Sequence, residues 1–135
     1  MRSRFRLVLA AVAGAVLSST TASAAPSAAH GEELYQSCQD CHSLDSNDVG
    51  PKHRGVFGRK AGSVADYSYS DALKHSGITW DADSLDKWLT DPQKLVPGSK
   101  MFFHLDAAQD RADVIEYLKD ADKVTGIDHI HGIGK

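Results

Sequence analysis

The sequence predicts an all-α fold of short helices joined by long loops that gather around one central body. Three observations carry that prediction. Apolar residues recur at three- and four-residue spacing in four short stretches, and nowhere does the chain alternate with the period of two that marks a half-buried strand. Between those stretches run loops rich in glycine and proline, longer than a compact domain ordinarily holds unless something central gives them a surface to pack on. The third observation is Cys38-Gln39-Asp40-Cys41-His42, which places both cysteines of the chain in one turn.

The first helix is expected from about Gly31 to Cys41. Leu34, Tyr35 and Cys38 share one face of it, and Glu32 and Glu33 fall in a first turn where carboxylates suit the positive end of the dipole. Ser43 to Val49 is polar and turn-like. The run from Gly50-Pro51 through Gly55, Gly58 and Gly62, with Arg54, Arg59 and Lys60 between, reads as a wrap around something flat. It is not a phosphate cradle, because no strand feeds it and no helix opens after it. Asp71 to His75 forms a short helix with Ser70 as its cap and Gly77 as its stop. Trp80 precedes a helix over Asp83–Thr90 whose Leu85, Trp88 and Leu89 form an apolar face, and Asp91-Pro92 ends it. Leu95 to Phe103 is an apolar loop turning at Pro97-Gly98. The last helix is expected from about Ala107 to Ala121, capped by Asp106 and burying Val114, Tyr117 and Leu118.

Two cysteines three apart with a histidine directly after the second form the attachment pattern for a c-type haem. Side chains three apart on a helical turn point the same way, so Cys38 and Cys41 can both reach the vinyl groups of one porphyrin. His42 then offers its imidazole to the iron from that side. The bare pattern has competitors: a redox dithiol, which wants a βαβ setting that is missing here; a structural disulfide; and half of a zinc site, which lacks a second cysteine pair. For a sixth iron ligand, Met101 stands out. It is the one methionine left once Met1 is removed, and it follows a Pro97-Gly98-Ser99-Lys100 turn, a poor place for a core gap-filler. The alternatives are another histidine, His104 first among them, or an open site. A Met/His pair raises the potential, and a six-coordinate iron suits electron transfer over catalysis.

Residues 1–24 read as a signal peptide, with Arg2, Arg4 and Arg6 before the apolar run Leu7–Leu17 and a small-residue cleavage site at Ala22-Ser23-Ala24. That apolar run is too short to span a bilayer, so no membrane span remains after cleavage. Residues 25–30 are expected to be a flexible N-terminus, 31–121 the single domain, and 122–135 a flexible tail. Within that tail His129 and His131 form a weak candidate metal pair. The whole chain carries a net charge of −3, and losing three arginines with the leader makes it −6. That acidity excludes a nucleic-acid partner, which needs a basic footprint, and favours a partner with a positive docking face.

In combination these motifs, with Gly55-Val56-Phe57-Gly58-Arg59-Lys60-Ala61-Gly62, Gly77-Ile78-Thr79-Trp80, Asp110-Arg111 and Tyr117-Leu118, make the chain resemble a bacterial class I cytochrome c from Gly31 to about Lys119. The resemblance implies crossed first and last helices, with Gly31 and Tyr35 packing on Tyr117 and Leu118, and loops wrapped around one covalent haem c. It implies that the Pro51 carbonyl accepts the His42 Nδ1 proton and that Arg59, Tyr69 and Trp80 lie around the haem propionates. It also places Ser99 among the cofactor-binding residues and Phe103 beside the exposed haem edge. Trp88 falls where the family has a tyrosine bonding the methionine sulfur, and an indole donates but cannot accept. Leu73 falls where an asparagine is common, and Phe102-Phe103-His104-Leu105-Asp106 is shorter than the family pattern. Nine lysines, outnumbered by acids, replace the family's lysine ring, with Lys52, Lys60, Lys94 and Lys100 as a local patch.

The expected function is therefore a soluble, monomeric periplasmic electron carrier, not an enzyme. Its partners would be redox proteins: membrane respiratory or photosynthetic complexes, or a periplasmic dehydrogenase or reductase. The alternative is a haem enzyme or ligand sensor, peroxidase-like or gas-binding, with a labile sixth site.

Overall fold

The fold follows from how the two ends of the chain meet. The computed structural model describes residues 23–123, so the expected leader lies almost wholly outside the described residues, and His129 and His131 lie outside them too. Five α-helices run in the order α1 (Ala28–Tyr35), α2 (Asp71–Lys74), α3 (Ala82–Thr90), α4 (Pro92–Leu95) and α5 (Ala108–Lys123). Among the described residues there is no strand, only an isolated antiparallel bridge between Lys60 and Thr79.

Helix α1 starts at Ala28, three residues before the expected Gly31, because the Ser27 hydroxyl accepts from the His30 N–H and caps it. Residues 28–30, expected to be flexible, are therefore helical, and Glu32 and Glu33 lie beyond the first turn, where the dipole argument no longer reaches them. The α-helix ends at Tyr35, and Gln36–Cys38 tighten into a 3₁₀ turn.

Helices α1 and α5 cross at Gly31. A Cβ built there would lie 2.0 Å from the Asp113 carbonyl oxygen and 2.9 Å from Tyr117 Cβ, so only glycine lets the backbones come this close. The Tyr35 and Tyr117 rings pack at 5.1 Å beside the crossing. Tyr35 then joins Leu85, Trp88 and Leu89 of α3 and Val114, Ile115 and Leu118 of α5 in one apolar core, with Val56, Leu73, Trp80 and Val96 from the loops around it.

Helix α3 carries a capping box in which Asp81 and Ser84 satisfy each other's backbone N–H groups. Asp91-Pro92 was expected only as a stop. It is also a start: Asp91 accepts from the Lys94 N–H and Pro92 occupies the first turn, so α4 follows at once. Residues 58–61 pair with 78–80 through Gly58 N–H to Trp80 O, Trp80 N–H to Arg59 O and Ala61 N–H to Ile78 O, closing the long glycine-rich loop.

Candidate functional site

The Cys38–His42 turn is held by its own backbone: the amides of Cys41 and His42 both donate to the Cys38 carbonyl. The next segment returns alongside it. Gly50 N–H donates to Cys41 O, His53 N–H to Ser43 O and Arg54 N–H to Leu44 O. This return puts the Pro51 carbonyl 2.7 Å from His42 Nδ1. Accepting that proton leaves Nε2 with its lone pair free toward the cavity. Burial pushes the His42 imidazole below its ordinary pKa, against the opposing bond to Pro51, so the ring is neutral and able to ligate.

Two neighbours fix the orientation of that ring. A Cβ on Gly50 would lie 2.1 Å from His42 Cε1. His53 stacks on His42 at 4.0 Å and 21°, its own Nδ1 3.0 Å from the Tyr35 hydroxyl. Burial above all, with His42 and Arg59 adding to it, pushes His53 down to about 3, so it stacks as a neutral ring.

His42 borders a cavity of about 360 Å³ whose walls are mainly apolar, within the size range of small-molecule and cofactor sites. Cys38 and Cys41 edge it, and both are free thiols, so they form no disulfide with each other. Burial raises the Cys38 thiol pKa. Met101 faces into the same cavity. Its sulfur lies 3.1 Å from Trp88 Nε1, which donates to it. Trp80 packs on Trp88 at 5.3 Å. Pro51, Arg59, Tyr69 and Phe103 also reach the wall. Arg59 is tied to the loop beneath it, donating to the carbonyls of Lys52 at 2.8 Å and Arg54 at 3.1 Å.

Ser99 is placed differently from the sequence expectation. It is buried, but it does not border the cavity, and its hydroxyl instead accepts from Gln93 Nε2 at 2.9 Å. Among the described rivals of Met101, His104 is exposed near Asp106, His75 sits over the Asp71 carbonyl, and His30 pairs with Asp113. His53 does border the cavity, but on the side of His42. The segment after Met101 is anchored by Leu105 N–H to Leu89 O and by Arg111, which donates to the carbonyls of Leu105 and Asp106 and to Asp86.

Sequence reasoning did not single out the stacking role of His53, the cradle at Gly50 or the anchoring by Gln93. Gly50 had a usable signal, since it immediately precedes the proline whose carbonyl faces His42. Among the described residues no group of three or more His, Cys, Asp or Glu could hold a metal ion by itself.

The chemistry of the donor set fits a haem: two thiols, a neutral imidazole with one nitrogen free, and a thioether opening on one apolar cavity. The family model described as Cytochrome c matches residues 28–122. The chain belongs to the cytochrome c family. It is 45% identical over 114 residues to cytochrome c2 of Rhodomicrobium vannielii, covering 82% of this chain and 91% of that protein. Cytochrome c of Arabidopsis thaliana is 45% identical over 98 residues, covering 69% of this chain and 88% of that one. Among solved structures, cytochrome cH from Methylobacterium extorquens superposes with a TM-score of 0.68 at 49% identity, covering 70% of this chain and 98% of that one. This is a bacterial class I cytochrome c with the all-α cytochrome c fold, and its cofactor is haem c.

Proposed function

We propose that this cytochrome is a periplasmic one-electron carrier, working through a single haem c whose iron takes His42 and Met101. The observation that carries the reading is that His42, with its Nδ1 held by Pro51, and the sulfur of Met101 open on the same apolar cavity, while His30, His75 and His104 lie away from it and His53 sits on the His42 side. When bound, the haem supplies the reversible one-electron couple. The protein's own groups do the rest. Cys38 and Cys41 anchor the ring as thioethers, and Pro51 holds the imidazole proton at Nδ1. Trp88 donates to the Met101 sulfur, Arg59 brings its positive charge to the propionate side with Tyr69 and Trp80, and the apolar wall excludes water.

Residues 1–24 serve as the export signal in this reading, and 31–121 form the core of the working domain. No helix among the described residues is long and apolar enough to cross a membrane. Val49, Phe102 and Phe103 expose their side chains at the cavity mouth. Together with the acidic net charge they favour a redox partner that offers an apolar contact ringed by positive charge.

Visible spectra of the haem-loaded protein, oxidised and reduced, with and without cyanide or carbon monoxide, test this. The expected result is the weak far-red sulfur-to-iron band in the ferric form and slow, weak uptake of either ligand. Absence of the band with immediate carbon monoxide binding by the ferrous form would replace the carrier with a haem enzyme or sensor having an open sixth site.

A further inference from the structure

The four residues from Gly98 to Met101 make a turn that leaves several backbone groups without a helical or sheet partner. One side chain meets three of them. Gln93, in α4, has Nε2 2.9 Å from Ser99 O, 2.9 Å from Ser99 Oγ and 2.8 Å from Met101 O. Its Oε1 lies 3.3 Å from Gly98 N and accepts that proton. Two other contacts help hold the turn, Ser99 N–H to Val96 O at 3.1 Å and Lys100 Nζ to Ser68 O at 2.6 Å, but neither touches Met101.

The chemistry of this contact is selective. It asks one side chain to share two N–H protons among two carbonyls and a hydroxyl while its oxygen accepts from an amide. A carboxamide does both. A glutamate would face two carbonyl oxygens with its own oxygens, a lysine could not accept from Gly98, and a leucine would do neither.

The base of Gln93 is itself fixed. Its neighbour Pro92 is fully buried, and Asp91 caps the turn by accepting from Lys94 N–H at 3.0 Å. A short, capped helix therefore presents a carboxamide to the segment that carries the methionine.

From this geometry we infer that Gln93 is a positioning residue for Met101: it clamps the Gly98–Met101 turn and so limits the excursions in which the sulfur leaves the cavity. The inference rests on the reading that Met101 is an iron ligand. Trp88 constrains the same sulfur from the side, whereas Gln93 constrains the backbone that bears it. The two restraints are independent, and loss of Gln93 leaves the donor to sulfur in place.

The test uses the haem-loaded, full-length protein and its Gln93→Glu and Gln93→Leu variants. Cyanide is the probe, because it binds ferric iron only after the resident sixth ligand has left. Three readings are taken together: the sulfur-to-iron band, the rate and affinity of cyanide binding, and the thermal midpoint. The expected result is a band in the wild type and, in both variants, cyanide binding faster and tighter by about tenfold, the scale of one or two lost hydrogen bonds. Gln93→Leu carries no repulsive charge, so it remains readable if Gln93→Glu folds poorly.

A wild type with the band and variants whose cyanide binding is unchanged, whatever happens to their thermal midpoints, would overturn the inference and leave Met101 as ligand. A wild type without the band would overturn both, and that failure is visible before any variant is made.

Discussion

The indole N–H of Trp88 donates to the sulfur of Met101 across 3.1 Å. With Met101 as the proposed iron ligand, a donor at its sulfur withdraws electron density from it, which favours the reduced iron that a thioether ligand already prefers. Indole donates and cannot accept, so the effect has one direction. Replacing Trp88 with phenylalanine should lower the reduction potential by about 20–60 mV, the equivalent for one electron of a hydrogen bond worth about 0.5–1.5 kcal/mol. Spectroelectrochemical titration of the two proteins checks it; an unchanged or raised potential would remove Trp88 from the tuning of the ligand.

Gly50 and His42 make a second dependent pair. Because a Cβ at Gly50 would sit 2.1 Å from His42 Cε1, the ring must move if Gly50→Ala is to fold at all. The move strains the Nδ1 bond to Pro51 and the stack with His53. Stability should fall by about 2 kcal/mol, within the range for overpacking, and, with His42 as the proposed ligand, the ferric spectrum should show weakened coordination on that side. Guanidinium unfolding followed by the Soret band reads both effects.

The α1/α5 crossing allows no side chain at Gly31. Gly31→Ala puts its methyl carbon against the Asp113 carbonyl, a backbone atom that cannot swing away. A loss of about 3 kcal/mol is expected, at the upper end of small-to-large changes. A guanidinium midpoint within error of the wild type would show that the two helices separate at little cost.

Buried Asp113 accepts from His30 Nδ1 at 2.7 Å, from the Ser27 amide at 2.8 Å and from Gln109 Nε2 at 3.0 Å. The bond from His30, and after it the Ser27 amide, holds the carboxyl below its usual range, while the same contact raises His30 above the ordinary histidine value. The two signs differ. A depressed carboxyl contributes stability above its unfolded pKa, near 3.8, and loses it as pH falls through the folded value. A raised histidine contributes fully below its unfolded pKa, near 6.5, and loses it as pH rises through the folded value. The pair should therefore add most between about pH 4 and 6.5. Other groups titrate across that range, so the measurement is the difference in thermal midpoint between wild type and Asp113→Asn as a function of pH. A difference that stays flat from pH 3 to 8 would dissociate the pair from stability.

The fold was legible where one residue type has few alternatives. Helical spacing with no period-two stretch gave the all-α class, and Leu85, Trp88 and Leu89 marked the inward face of α3 without ambiguity. The cysteine pair with its histidine carried the cofactor. What sequence spacing could not show depends on turns whose geometry is decided in three dimensions. Asp91-Pro92 ends one helix and begins another, and the two roles share the same letters. Ser27 sits in a stretch of small residues with no apolar period, expected to be a flexible N-terminus, so its cap was missed. His53 and Gln93 look like ordinary polar residues until the chain folds one against a ring and the other against a loop. Ser99 was expected at the cofactor because of its place in the Pro97–Met101 run; its hydroxyl instead meets Gln93.

Arg54 joins distant parts of the chain, binding Asp45 beside the attachment turn and the Ala121 carbonyl at the far end of α5. Ser27 and Asp113, 86 positions apart, are joined in the same way. A chain delivered N-terminus first thus exposes Cys38 and Cys41 long before α5 emerges to supply the cavity wall at Val114 and Leu118. The attachment turn and the wall opposite it thus belong to the two ends of the chain, and the cavity is complete only when those ends have folded against each other.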